Sequence, residues 1–82
     1  MLTQTQAQDL VHEALLRIVP DADLNALDEQ EDLRDSLELD SLDFLNFVEQ
    51  LSAGAGRRIE DSDTPRLRTI AGCVEFLSDD AA

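Results

Sequence analysis

The chain has 82 residues, six basic and nineteen acidic side chains, and a formal net charge of −13 at pH 7 with its single histidine neutral. A chain this short forms one domain with a thin core, here residues 1–82, and leaves no room for two lobes and a cleft. Its negative charge disfavours nucleic acid and anionic membrane surfaces. We therefore expect protein partners that carry basic patches, and no nucleic-acid partner.

The only cysteine, Cys73, excludes an internal disulfide and any multi-cysteine metal site, and it fits a reducing cytoplasm. No stretch approaches the ~20 apolar residues of a membrane span, and the N-terminus lacks the basic start and apolar run of a signal peptide. A hydrophobic content of 43% in periodic blocks argues against a disordered chain. We expect a folded, soluble, cytoplasmic monomer.

The spacing of apolar residues predicts a first helix over about residues 3–19. Its apolar positions are Ala7, Leu10, Val11, Ala14, Leu15 and Ile18. Thr5, followed three residues later by Gln8, has the form of a capping box, and Pro20 ends the helix.

Residues 20–40 interrupt the periodicity, because their leucines are irregularly spaced among acids. These leucines are Leu24, Leu27, Leu33, Leu37 and Leu39. We predict a long loop that its leucines attach to the core. Structureless connections beyond ~12–15 residues are uncommon in compact domains unless they are functional, so a short helical turn also fits inside this loop.

Helical periodicity then returns in three segments, predicted over about residues 41–53, 62–67 and 69–78. Gly54 and Gly56 follow the second helix, and Pro65 suits the first turn of the short third helix. Cys73 lies on the apolar side of the fourth helix, which favours a buried thiol over a reactive one. The prediction is an all-α domain, a small four-helix bundle with a long first loop.

The segment from Leu37 to Leu45, Leu-Glu-Leu-Asp-Ser-Leu-Asp-Phe-Leu, places a serine between the irregular loop and an amphipathic helix. It resembles the modification site of acyl carrier proteins, in which an Asp-Ser-Leu at the start of the second helix carries phosphopantetheine on the serine oxygen. The resemblance extends from Val11 to Leu77, and it includes the long first loop and the acidic lead-in to helix three. It implies the acyl carrier protein fold.

Asp40, Ser41 and Leu42 form the matching Asp-Ser-Leu. The resemblance implies a carrier rather than an enzyme, with 4'-phosphopantetheine attached to Ser41 by a phosphopantetheinyl transferase. Acyl or related carboxylic intermediates would travel on this arm as thioesters. The implied partners are acyl-activating, ketosynthase or acyltransferase-type enzymes of fatty-acid, polyketide or other specialised biosynthesis, and the cargo is left open.

Physical reasons also favour Ser41. A helix N-terminus presents unpaired amide N–H groups and a partial positive charge, which favours an attached phosphodiester. The same tripeptide occurs at Asp35-Ser36-Leu37, but only Ser41 precedes a sustained apolar stripe. That stripe is Leu42, Leu45, Val48 and Leu51. We expect Leu42 and Leu45 to anchor the helix beneath the serine.

Acidic residues surround this serine, and we expect them to meet basic patches of partner enzymes by electrostatic steering. They are Asp35, Glu38, Asp40, Asp43 and Glu49. The alternative is that some of them only solvate a helix face. Phe44 lies at the flank of the stripe, so we expect it to contact the arm, its cargo or a partner. Apolar residues at this spacing form core more often than they line a cavity for an acyl chain, so we favour core for Leu42, Phe44, Leu45, Phe47 and Val48 and keep the cavity as the alternative.

The chain departs from the family pattern in two places. Glu38 stands where the family often has glycine, and residues 52–58 replace the usual acidic, Phe-Gly-containing end of helix two. Both departures leave the serine intact. They favour a specialised free-standing carrier over the housekeeping fatty-acid carrier.

Three other interpretations compete with the carrier. An acidic helical adaptor would present its helices to basic partners without covalent modification. A calcium-binding helix-loop-helix protein is the second alternative, because the segment from Asp21 to Asn25 starts like a calcium loop. Ala26 and Asp32 stand where such a loop usually has glycine and glutamate, so we expect no metal site. Ser41 as a catalytic nucleophile would have only His12 as an imidazole partner, and no Gly-x-Ser-x-Gly turn is present.

Overall fold

A computed structural model of the chain describes residues 2–78. Within this range the chain forms four α-helices, one 3-10 helix and no strand. The helices are α1 (Gln4–Ile18), α2 (Leu33–Ser36), α3 (Ser41–Ala55), the 3-10 helix (Asp61–Leu67) and α4 (Ile70–Ser78). The all-α class predicted from the sequence is confirmed. In this part of the chain, no helix has the length and apolar character needed to cross a membrane.

Helix α1 begins with a capping box at Thr3. The Thr3 side-chain oxygen accepts the Gln6 backbone N–H at 3.1 Å, and the Gln6 side chain accepts the Thr3 N–H at 3.0 Å. The capping box predicted at Thr5 and Gln8 is therefore wrong, since both residues lie inside α1. The capping box forms at Thr3 and Gln6 because a helix that begins two residues earlier gains backbone hydrogen bonds. One of them joins the Ala7 N–H to the Thr3 carbonyl at 2.9 Å.

Helix α1 packs against both α3 and α4, and the 3-10 helix packs against α4. Each element contributes one apolar face to a single core. The buried residues are Ala7, Val11, Ala14 and Leu15 of α1, Leu33 and Leu39 of the first loop, Phe47, Val48 and Leu51 of α3, Leu67 of the 3-10 helix, and Ile70, Cys73, Phe76 and Leu77 of α4.

The loop between α1 and α3 is attached to the junction of the 3-10 helix and α4. Leu33 and Leu39 are buried, and the Leu33 backbone N–H donates to the Arg68 carbonyl at 2.7 Å. Nearby, the Ala71 N–H donates to the Glu29 carbonyl at 3.0 Å. The helical turn inside the loop, α2, is thereby held against the junction of the 3-10 helix and α4.

Asp32 strengthens this attachment by charge. Its Oδ1 caps α2 by accepting the backbone N–H groups of Arg34 and Asp35 at 2.9 and 3.4 Å, and its Oδ2 pairs with Arg68 at 2.7 Å. Desolvation raises the pKa of the Asp32 carboxyl, but the two backbone hydrogen bonds and the Arg68 guanidinium outweigh it. The pKa of Asp32 therefore lies below its ordinary value.

Replacing Asp32 with asparagine is expected to destabilise the domain at neutral pH and to matter progressively less in acid. Asparagine keeps a capping oxygen but loses the charge that pairs with Arg68. Because the folded-state pKa is lowered, the charge stabilises the fold above the unfolded pKa, about 3.9, and this contribution is lost as the pH falls through the folded pKa.

Urea denaturation of the wild type and D32N from about pH 7 to about pH 2 measures this difference in the free energy of unfolding. We expect the two proteins to converge at the acid end. A difference that stays constant over the whole range would show that the Asp32 charge is not its source.

Candidate functional site

Ser41 is the first residue of α3, and it is exposed. Asp40 precedes it as the N-cap, where its Oδ1 accepts the Asp43 backbone N–H at 2.8 Å. The Asp40 carboxylate thus performs the capping that a serine hydroxyl performs in many helices. The Ser41 hydroxyl is not needed for the cap and stays accessible to another molecule.

The backbone turns sharply just before this serine. Glu38 adopts the left-handed conformation with φ of 54°. The next residue, Leu39, donates its N–H to the Arg34 carbonyl at 3.0 Å and inserts its side chain into the core. This turn ends α2 before α3 begins, and its left-handed residue disfavours side chains with a Cβ relative to glycine.

The second Asp-Ser-Leu lies in a different environment. Ser36 is the last residue of the four-residue helix α2 and is partly buried. Its hydroxyl donates to Glu31 Oε2 at 2.7 Å. Ser36 is therefore engaged at a helix end, whereas Ser41 is exposed at a helix start.

Leu42 and Leu45 are 65% and 51% exposed, so the prediction that they anchor α3 to the core is wrong. Of the predicted stripe, only Val48 and Leu51 are buried. Apolar residues on α3 occupy more than one face of the helix, and α1 packs against one of them. Leu10 of α1 lies against Gly54, two turns after the buried Phe47, so the face that carries Phe47 is the one covered. The two leucines beside Ser41 are left facing solvent.

The acids predicted to surround the serine are at the surface. Asp35, Glu38, Asp40 and Glu49 are exposed, and Asp43 is partly buried. None of the ion pairs formed within residues 2–78 involves any of these five. Asp40 and Asp43 lie at the N-cap and in the first turn of α3, beside the exposed Leu42, whereas Glu49 lies about two turns further along the helix. The start of α3 thus has a mixed acidic and apolar surface.

A pocket of about 230 Å³ lies beside this surface, between α3 and the 3-10 helix. Its lining residues are Arg34, Phe44, Thr64, Pro65 and Arg68. Phe44 is partly buried, with its ring centroid 6.1 Å from that of Phe47. The Arg34 guanidinium lies over the Phe44 ring at 5.9 Å, and its Nη2 is 3.5 Å from Ser41 Oγ.

Arg34 was not identified from the sequence as part of this site. Its position in the sequence could have identified it, because Arg34 is the only basic residue between Arg17 and Arg57. A lone arginine in the most acidic part of the chain, close to the candidate serine, is placed where an anion would need it.

The residues proposed for the two alternative sites, the calcium loop and the catalytic serine, make other contacts in the fold. Asp23 Oδ1 accepts the Asn25 N–H at 3.2 Å, and both oxygens of Asp32 are occupied by the α2 cap and Arg68. Among residues 2–78, no group of three or more potential ligands could hold a metal ion. The side-chain hydrogen bond of Ser41 in this range is with Arg34 rather than His12.

Cys73 is fully buried in α4, and its Sγ lies 3.3 Å from the Leu67 carbonyl oxygen, to which the thiol donates. Burial raises the pKa of the Cys73 thiol to about 12. The reactive thiolate is therefore disfavoured at neutral pH.

Ellman's reagent is expected to leave Cys73 unmodified in the folded protein and to react with it fully in denaturant, because only unfolding exposes the sulfur. Absorbance of the released thiolate measures both rates. Rapid, complete reaction of the native protein would contradict the burial of Cys73 in α4.

No protein-family model matches the chain, and none of the curated proteins or solved structures compared with it is a match. What the protein does is therefore inferred from the residues around Ser41 and their geometry.

Proposed function

We propose that the protein is a cytoplasmic, monomeric acyl carrier protein that carries acyl or related carboxylic intermediates on 4'-phosphopantetheine attached to Ser41. The observation that carries the proposal is the position of Ser41, exposed on the first residue of the 15-residue helix α3 and inside an Asp-Ser-Leu sequence. A hydroxyl so placed can enter the active site of a modifying enzyme while the core behind it stays packed.

The start of α3 suits the attached group electrostatically. A phosphodiester carries a negative charge, and the unpaired N–H groups of a helix N-terminus favour an anion there. Asp40 orders that first turn through its bond to the Asp43 N–H. The chain thus supplies an ordered attachment point, and the chemistry of the thioester belongs to partner enzymes.

The turn before the serine also supports the proposal. Glu38 has a positive φ, and it occupies the position at which acyl carrier proteins often have glycine. This left-handed residue lies between the end of α2 and the start of the serine-bearing helix. The substitution of glutamate therefore keeps the backbone course that a glycine would favour.

Partner enzymes would meet the mixed surface around Ser41. The acids there have no ion-pair partner within the described range, so they are available to a basic patch on a transferase, ketosynthase or acyltransferase. Leu42, 65% exposed beside the serine, adds an apolar contact. Steering by charge speeds encounters without a long-lived complex, which suits a carrier that visits several enzymes.

Incubation with coenzyme A and a promiscuous phosphopantetheinyl transferase tests the proposal. Intact mass should show the addition of one phosphopantetheine group, and peptide mapping should place it in the Leu37–Leu45 segment. If a panel of such transferases adds nothing to the folded protein, the unmodified acidic adaptor becomes the better account.

A further inference from the structure

All six basic residues of the chain are arginines, and within the described range they divide into two groups. Three pair with carboxylates: Arg17 with Glu13, Arg58 with Glu60 and Arg68 with Asp32. The other three, Arg34, Arg57 and Arg66, lie over phenylalanine rings. In a chain with nineteen acids, an arginine with no carboxylate partner in this range keeps its charge available for another anion.

Arg34 is the member of this second group that contacts Ser41. Its Nη2 lies 3.5 Å from Ser41 Oγ, the outer limit of a hydrogen bond. A neutral hydroxyl is a weak partner for a guanidinium, whereas a phosphate oxygen forms shorter, charge-assisted and often paired hydrogen bonds with it. The arginine therefore faces the serine oxygen without a strong acceptor.

Three sets of contacts hold Arg34 in place. Helix α2, which carries it, is attached to Arg68 through the Leu33 N–H and the Asp32 carboxylate. The Arg34 carbonyl accepts the Leu39 N–H at 3.0 Å, and the Phe44 ring lies beneath the guanidinium. Because the side chain is already partly buried and supported, little conformational entropy is lost when it binds an anion.

We infer that Arg34 is a phosphate-binding residue, whose guanidinium holds the phosphate ester formed on Ser41 Oγ. The identity of that ester rests on the proposed function, but the contact itself requires only a phosphate at this oxygen. In the transfer from coenzyme A, Ser41 Oγ forms a bond to phosphorus and loses its proton to a base of the transferase, while the pyrophosphate P–O bond breaks and the nucleotide half of coenzyme A leaves. The unesterified oxygens of the new ester are then within reach of the arginine. Arg34 thereby positions the first atoms of the arm beside the pocket that Phe44 lines.

The charges next to the serine oppose a phosphate there. Asp40, the N-cap, and Asp43, in the first turn of α3, both repel a phosphate at Ser41. Arg68 lines the same pocket, but its guanidinium is paired with Asp32. Arg34 is thus the basic group free to offset this repulsion among the described residues near the serine.

Phosphoserine introduced at position 41 during translation places a phosphate on Oγ without any transferase. Phosphorus NMR then gives its second pKa, ordinarily about 6, in the wild-type background and in Arg34→Gln. We expect this pKa to be about one unit higher in R34Q, because the guanidinium no longer favours the dianion. Arg34→Lys should fall between the two, and Arg58→Gln, which alters an exposed arginine paired with Glu60, should match the wild type.

Every variant keeps the acidic residues near Ser41, so a difference in the phosphoserine pKa between variants is due to the arginine that was changed. Equal phosphoserine pKa values in folded wild type and folded R34Q would overturn the inference. A second measurement needs no variant, since the guanidinium nitrogen signals of Arg34 should shift between the serine and phosphoserine proteins. Unchanged signals would also overturn it.

The phosphoserine pKa, taken together with the result of the transferase reaction, separates this inference from the carrier proposal. A transferase that fails to load Ser41, combined with a phosphoserine pKa that depends on Arg34, would reject the carrier and keep the phosphate contact. Loading of Ser41 with no effect of Arg34 on the phosphoserine pKa would keep the carrier and reject the contact.

Discussion

Replacing Ser41 with alanine is expected to abolish phosphopantetheinylation completely, whereas replacing Ser36 with alanine should leave it unchanged. Both serines stand in an Asp-Ser-Leu, so the tripeptide alone does not distinguish them. Their environments do, because only Ser41 is exposed at the start of a long helix.

Ser36 is unsuited to the modification for two physical reasons. Its hydroxyl is partly buried and donates to Glu31 Oε2 at 2.7 Å, so a transferase would have to break this bond. It also lies at the C-terminal end of α2, where the partial negative charge of a helix end disfavours a phosphodiester. Ser41 lies at the N-terminal end of α3, where the partial charge of the helix is positive and favours a phosphodiester.

Intact mass of the wild type, S41A and S36A after the same transferase reaction measures the difference. S36A is the matched control, since it also loses one serine of an Asp-Ser-Leu. Circular dichroism establishes that both variants fold. We expect this because, within residues 2–78, the Ser41 side chain has one long hydrogen bond, to Arg34, and the Ser36 hydroxyl has one to the exposed Glu31. A phosphopantetheine group found on S41A would move the attachment site to another residue.

Replacing Gly72 with alanine is expected to destabilise the domain by about 2 kcal/mol, because the ~3 kcal/mol upper end of the cost of overpacking is offset by ~1 kcal/mol of helix propensity. Gly72 lies in the first turn of α4, and a Cβ there would collide with the Arg66 carbonyl oxygen of the 3-10 helix. That atom belongs to the backbone, so relief requires the 3-10 helix to move away from α4. Leu67, which is buried at this contact, would move with it.

Gly54→Ala is the matched control inside α3. A Cβ at Gly54 would meet the side chain of Leu10, whose flexible end can rotate away. Alanine also gains about 1 kcal/mol of helix propensity over glycine, which offsets the cost of this adjustment. We expect the stability of G54A to stay within about 1 kcal/mol of the wild type.

Thermal denaturation distinguishes the two glycine variants. In a domain of this size 1 kcal/mol corresponds to about 4–8 °C, so G72A should lose at least about 8 °C in Tm while G54A changes less. Equal Tm values for G72A and G54A would show that the 3-10 helix can move away from α4 without a loss of stability.

Much of the fold and part of the candidate site could be predicted from local patterns. Apolar residues at helical spacing predict α1, α3 and α4, because this spacing is set by the geometry of consecutive residues. The position of Ser41 directly after a capping aspartate is local in the same sense. Where two local signals compete, as at Thr3 and Thr5, the sequence pattern alone does not choose between them.

The amino-acid sequence by itself thus determined an acidic all-α domain with a serine at a helix start. Only the tertiary structure decided which face of α3 is buried, because Leu42 and Phe47 both fit an apolar stripe and α1 covers the one that carries Phe47. It also decided that Arg34 reaches Ser41. That contact depends on a left-handed turn at Glu38 and on the attachment of α2 to Arg68, and hence on packing between segments distant in the chain.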